Sequence, residues 1–152
     1  MKIHQLSLFV ENQPGTLCAP CRTLAAAGID LLSLTVADTE AFGILRVIVP
    51  DWQRAQTVLQ AAGFLVKVTE VVALEVAQRP GGLLAVLDAL DAANQAIEYM
   101  YAFAHAGGTG GDARSRAVLV FRFADPDAAI AALGRQGINA IAPADLFGTG
   151  TG

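Results

Sequence analysis

The stretch Glu11-Asn12-Gln13-Pro14-Gly15-Thr16-Leu17 returns in altered form as Ala77-Gln78-Arg79-Pro80-Gly81-Gly82-Leu83. Each copy follows an alternating apolar segment and precedes an apolar helical pattern. A Pro-Gly turn at a helix N-terminus leaves backbone N–H groups unpaired, and such groups can receive a carboxylate. The spacing predicts this chemistry twice. In the first copy the donors are the N–H groups near Gly15, Thr16 and Leu17; in the second they lie near Gly81, Gly82 and Leu83. The bland reading of either copy is a tight strand-to-helix turn, for which glycine supplies freedom in φ.

Cys18-Ala19-Pro20-Cys21 is the second motif with chemical potential. A C-x-x-C at the start of a helix that comes after a strand, with Pro before the second Cys, is how thioredoxin-like redox centres are built. The matching positions of the other copy are Leu84 and Leu87. That equivalence points to Cys18 and Cys21 as small core-facing residues, and the surrounding strand order is not that of a thioredoxin. Gly107-Gly108-Thr109-Gly110-Gly111 has the look of a phosphate cradle, but no Lys-Ser or Lys-Thr pair comes after it and the segment lies between two strands. It reads as a hairpin loop, and Arg114 and Arg116 as its solvated flank. His4 and His105 have no second ligand at metal spacing and read as exposed or locally bonded side chains. No nucleophile–base pair or acid/base dyad stands out, so no catalytic residue, metal site or cofactor is expected.

The elements that position these motifs are set by periodicity. Residues 3–10 alternate, with Leu6, Leu8 and Val10 on one face and Gln5 and Ser7 on the other, as in a half-buried strand. Pro14-Gly15 opens a helix to about Ala27, with Leu17, Cys21 and Leu24 on one side and Gly28 as its stop. Strands are expected over 29–36 and 44–49, joined by the hairpin Asp38-Thr39-Glu40. Asp51 caps a second helix that ends at Gly63, and residues 64–68 give a fourth strand. The second half repeats the order. It has a strand over 71–76 and a helix over 81–93. Ile97, Tyr99, Tyr101 and Phe103 alternate with Glu98, Met100 and Ala102. A strand over 118–123, a helix from Asp125-Pro126 to Gly137 and a strand over 138–141 complete it.

The register supports duplication. Pro14 and Pro80, like Leu17 and Leu83, differ by 66 positions; Asp51 and Asp125, like Gly63 and Gly137, differ by 74. The extra length falls in the hairpin after Phe103, where a surface loop tolerates insertion. The fold class is therefore α+β: two ferredoxin-like βαββαβ units with antiparallel sheets, joined by a short link at Thr69-Glu70. Each has about seventy residues, marginal for a single core, so the pair is expected to pack as an internal pseudo-dimer. The expected division is 1–69 and 70–147, with a flexible tail over 148–152.

At this point the chain resembles a tandem pair of ACT domains, the amino-acid-sensing modules attached to many biosynthetic enzymes. The likeness rests on Val10 to Leu17 and on Leu24-Ala25-Ala26-Ala27-Gly28-Ile29-Asp30-Leu31, and it covers residues 1 to about 147. Asp30 stands where the family often has Asn. The second copy has Asn94-Gln95-Ala96-Ile97 in place of a Gly-Ile-Asn-Ile type sequence. The resemblance implies an amino-acid or small-carboxylate ligand at the turn around Pro14 and at the interface between modules. Asn12 and Asp30 would take the α-amino group; Leu31, Leu32, Ile97, Glu98 and Tyr99 would be second-strand contacts. It also implies a regulated enzyme or a second copy of the chain as partner, with the first copy the better site.

The composition agrees with a filled core: 54% of the 152 residues are hydrophobic and 16% charged. A net charge of −4 with no basic block argues against nucleic acid. The apolar runs are too short for a membrane span, the N-terminus lacks a signal-peptide core, and two cysteines make no disulfide framework. A cytoplasmic, non-catalytic regulatory protein is expected. The alternatives are a ligand-free interaction module of the same fold and, more distantly, a C-x-x-C redox or metal-handling protein.

Overall fold

The computed structural model describes residues 1–38, 42–76, 79–105 and 116–148. Thr39 and Glu40 of the expected hairpin, Ala77-Gln78, Gly107–Gly111, Arg114 and the end of the tail lie outside the described residues. The elements are β1 (Ile3–Glu11), α1 (Cys18–Ala26), β2 (Ser33–Asp38), β3 (Phe42–Ile48), α2 (Trp52–Ala61) and β4 (Val66–Val76). They continue as α3 (Gly82–Ala92), β5 (Ile97–His105), β6 (Arg116–Phe123), α4 (Pro126–Arg135) and α5 (Pro143–Phe147). The α+β class is that expected, and the βαββαβ order runs twice, with β4 common to both runs and the final strand reduced to a bridge. β1–β3, β2–β3, β4–β6 and β5–β6 all pair antiparallel. The chain divides into two compact units, residues 4–69 and residues 1–3 with 70–152.

In the N-terminal unit the strand order is β2-β3-β1-β4. Leu6 and Leu8 of β1 pair with Val47 and Leu45 of β3, and all four join Leu24 of α1 and Ala55 and Leu59 of α2 in one core. Each such leucine contributes roughly 1.5–3 kcal/mol by leaving water. Successive side chains of a strand point to opposite faces, so Gln5 and Ser7 face away from this core. They are buried nonetheless, at 0% and 8% exposure, where alternation predicts a half-buried strand. The Gln5 amide donates to Ser7 Oγ at 3.1 Å, which gives the buried polar atoms a partner.

The C-terminal unit has the order β4-β6-β5. Its core joins Val72 and Leu74 of β4, Phe121 and Phe123 of β6, Val86 and Leu90 of α3, and Ala129 and Leu133 of α4. The helix ends show the duplication at atomic detail. Asp51 accepts the Arg54 N–H and Asp125 the Ala128 N–H, both at 3.0 Å. The four main helices close with the same bond, donated by Ile29, Phe64, Gln95 and Ile138 to the carbonyls of Leu24, Leu59, Leu90 and Leu133. The left-handed residue this closure needs is Gly28 in α1 (φ 67°) and Asn94 in α3 (φ 52°). Asn is the side chain that tolerates that region best after Gly, so the sequence departure leaves the backbone path intact.

Several boundaries differ from the sequence expectation. β2 starts at Ser33, not Ile29, so Leu31 and Leu32 belong to the connection before it; the Leu32 N–H donates to Ile48 O at 2.9 Å. No link at Thr69-Glu70 interrupts β4, which runs from Val66 to Val76 as one strand because its β-branched residues continue through the junction. The last expected strand, 138–141, reduces to a single bridge between Ala140 and Leu74, with the Ile141 N–H donating to Ala73 O at 2.8 Å. Pro143 then opens the unanticipated α5, which buries Leu146.

Candidate functional site

The two Pro-Gly segments form the same turn. Thr16 N–H donates to Gln13 O at 3.3 Å, and Gly82 N–H donates to Arg79 O at 3.1 Å. Gly15 and Gly81 both sit at φ 88°, the left-handed value at the third position of a type II turn whose second position favours Pro. Pro14 is thus a turn residue upstream of α1; it is not the first helical residue, as the spacing predicts. A Cβ at either glycine would meet nothing within 4 Å, so the glycines answer to the backbone angle and not to crowding.

Beyond the turn the copies diverge. α3 begins at once, with Ala85 N–H donating to Gly81 O at 3.1 Å. α1 begins two positions later in register, at Cys18, whose N–H reaches Gly15 O at 3.0 Å. Pro20 is the cause: it has no N–H for Thr16 O, and its ring would crowd that carbonyl in a longer helix. The Thr16 hydroxyl lies 2.6 Å from Glu11 O and 2.9 Å from Gln13 O, so one proton is shared between two carbonyls that tie the turn to the end of β1. Gly82 has no hydroxyl to repeat this. Among the described residues, the N–H groups of Gly15 and Leu17 find no acceptor and those of Leu83 and Leu84 open α3, so both turns present donors.

The other expected ligand residues are more scattered. Asn12 is exposed beside the first turn, and no hydrogen bond joins it to the other site residues. Asp30 is exposed and accepts the N–H of Leu31 at 2.8 Å through Oδ1. Leu31 packs on the core of its unit. In the second copy a β-bulge interrupts the expected alternation. Ile97 pairs with Phe123 and Tyr99 with Arg122, which leaves Glu98 as the extra residue. Ile97 and Met100 therefore share the core face, while Tyr99 and Tyr101 lie opposite. Glu98 Oε2 lies 3.3 Å from Arg122 Nε, and Arg122 Nη1 reaches Glu70 O at 3.4 Å. Sequence reasoning missed Arg122; its signal was a cation inside the apolar run Val118–Phe123.

Cys18 overturns its expectation, and Cys21 meets it only in part, since its equivalent Leu87 packs against the core of its unit. Cys18 is exposed and Cys21 half-buried; the buried residues of α1 are Pro20 and Leu24. Their partners in register are Val86 and Leu90, the buried residues of α3, while Leu84 is 57% exposed. Cys18 and Leu84 do occupy equivalent places, but an apolar residue at that position does not mean a core position. Leu17 and Leu83 are likewise largely exposed.

Two further features lie outside the expected site. Lys2 Nζ meets Glu70 at 3.0 Å and Asp127 at 3.1 Å; its pKa is raised above the usual 10.5, by the hydrogen bond to Glu70 first and that to Asp127 next. His4 stacks on Trp52 with ring centroids 4.3 Å apart. A cavity of ≈ 500 Å³ at the junction of α2 and β4 is lined by Phe9, Phe64, Leu65 and Lys67 among others, and by none of the expected ligand residues. Among the described residues there is no cluster of three or more His, Cys, Asp or Glu fit for a metal, and no helix long and apolar enough to cross a membrane.

Doubled turns, caps and strand order find their match in known proteins. A family model described as an ACT domain pair matches residues 1–148. The chain belongs to the ACT domain pair family. Among solved structures, this ACT pair is similar to a protein of Bacteroides thetaiotaomicron at 36% identity and TM-score 0.87, over 97% of each chain. The regulatory subunit of aspartate kinase from Thermus thermophilus, in its ligand-free form, shares the fold at 16% identity and TM-score 0.58, over 88% of this chain and 91% of that one. Aspartate kinase from Synechocystis does so at 22% identity and TM-score 0.55, over 92% of this chain and 26% of its own. Among curated proteins, none matches the ACT pair.

Proposed function

We propose that this ACT pair is a non-catalytic regulatory protein that binds an amino acid or similar small carboxylate at its Pro-Gly turns. The observation that carries the reading is the repeated turn: Gly15 and Gly81 share φ 88°, and each turn leads into a helix N-terminus with unpaired N–H groups. Such groups carry partial positive charge and favour an anion. At the first turn the carboxylate lies on the N–H groups of Gly15 and Leu17, and Asn12 takes the α-amino group. Asp30, at the other end of α1 and beyond the Ile48 end of β3, is out of reach of that ligand. Gly81, Gly82 and Leu83 form the corresponding second site; Glu98 and Tyr99, at the Phe123 end of β6, lie too far from that turn to share its ligand. Family membership and the regulatory subunits that share the fold support a partner that is a regulated enzyme or a second copy of the chain. Ligand acts on that partner only through a difference in affinity between two states.

Isothermal titration against the amino acids tests this. At least one binds, and Gly15→Ala weakens it by about tenfold or more, ~1.4 kcal/mol. No heat from any amino acid at millimolar concentration overturns it. A second reading, a ligand-free interaction module, is favoured by Leu34 and Val36, which are exposed on the edge strand β2. That module would keep its partner after Gly15→Ala.

A further inference from the structure

We propose that Cys18 and Cys21 form a reversible disulfide across the first turn of α1, a modification site beside the first Pro-Gly turn and independent of the ligand reading. Both thiols are free; Cys18 is exposed and Cys21 half-buried. A free cysteine is ordinarily a small core residue, and Cys18 is not one. Packing does not call for sulfur here either, since exposed Leu84 holds the same place on α3. What the sulfurs share is a helix face: residues three apart lie one above the other, with Cβ atoms about 5–6 Å apart. A disulfide needs about 3.5–4.5 Å, so the turn must tighten by roughly 1–2 Å.

The first turn of α1 lacks one of the bonds that would hold it open. Pro20, between the two cysteines, has no N–H to hold α-helical geometry against Thr16 O. Just upstream, Cys18 N–H bonds three residues back, to Gly15 O at 3.0 Å, so the chain enters α1 through a tight turn, and no side chain caps the helix at Leu17. In a 3₁₀ turn, residues i and i+3 eclipse, which brings Cys18 over Cys21. A bond closed with some strain is of the labile kind that forms and breaks with the surrounding thiol–disulfide balance.

The oxidant class is a low-molecular-weight disulfide. With glutathione disulfide, the Cys18 thiolate attacks one sulfur and releases one glutathione thiolate, leaving a mixed disulfide on Cys18. The Cys21 thiolate then attacks the Cys18 sulfur, the protein disulfide forms, and the second glutathione leaves. The two cysteine protons pass to the two glutathione thiolates, so one dithiol is oxidised and one disulfide reduced.

The whole chain is incubated in glutathione buffers of graded ratio, quenched with acid and measured by intact mass and by tryptic mapping. Residues 3–22 contain both cysteines and form one tryptic peptide. The expected result is loss of both free thiols, a mass lower by two hydrogens, no retained glutathione, and a link within that one peptide that reduced glutathione reverses. Cys21→Ser stops at a glutathione adduct on Cys18. The proposal is overturned if the natural chain keeps glutathione on Cys18, links to a second chain, or retains both thiols. No ligand enters the experiment, so neither outcome bears on the amino-acid reading.

Discussion

The turns at Pro14-Gly15 and Pro80-Gly81 share their backbone and differ in the residues just beyond it. The same hydrogen bond closes each, and the same left-handed glycine stands third in each. Yet α3 begins inside its turn while α1 waits until Cys18. The cause is Pro20 where the second copy has Val86: both are buried at the same place in their cores, but only Val86 has an N–H to donate. Duplication has kept the angle that only glycine accepts readily and the core positions that packing needs. Between them the copies differ, and the first has a hydroxyl tie at Thr16 and two thiols.

The largest test of this comparison lies in the cores. Leu24→Ala and Leu90→Ala each remove a fully enclosed leucine at equivalent positions, so each costs about 2–5 kcal/mol in urea unfolding. Similar losses support equivalent units; a loss confined to one shows that only that unit limits stability. Next come the glycines. Gly15→Ala and Gly81→Ala add a Cβ in open space at φ 88°, so each costs about 1–2 kcal/mol from the backbone angle alone. Equal stability losses with unequal losses of ligand affinity would separate the better binding turn from its structural twin. The smallest effect is Lys2, whose ion pairs belong to the C-terminal unit. Its raised pKa means that its contribution is fully present below the usual lysine value and is lost as pH rises through the higher folded value. Lys2→Met lowers the urea midpoint slightly near neutral pH. The gap closes in strongly alkaline solution, and a gap unchanged there shows the ion pairs to be irrelevant.

How much was legible in the sequence depends on the range of the interactions involved. Asp51 and Asp125 cap helices three residues away, and Gly63 and Gly137 stop them, so both could be read from neighbours along the chain. The bulge at Glu98 could not, because it exists only against Arg122 on the paired strand, 24 positions away. Alternation gave the two faces of β1 correctly but not their burial, since Gln5 and Ser7 are polar and still enclosed. For the candidate site, the turns were readable because Pro and Gly restrict and free φ locally. Asp30 turning to the Leu31 N–H, and Cys18 standing exposed, were not.

The sequence by itself determined the doubled βαββαβ order, the left-handed glycines of both turns and the capped helices, because periodicity, φ preference and capping act within a few residues. Only the tertiary structure decided that β4 runs unbroken, that Lys2 joins Glu70 and Asp127, that Arg122 holds Glu98, and that the first helix starts at an exposed cysteine. Each of these depends on what stands opposite a residue once the chain has folded. Linear spacing does not carry that information, and even the repeat misled where Leu84 stands for Cys18, because both side chains are exposed.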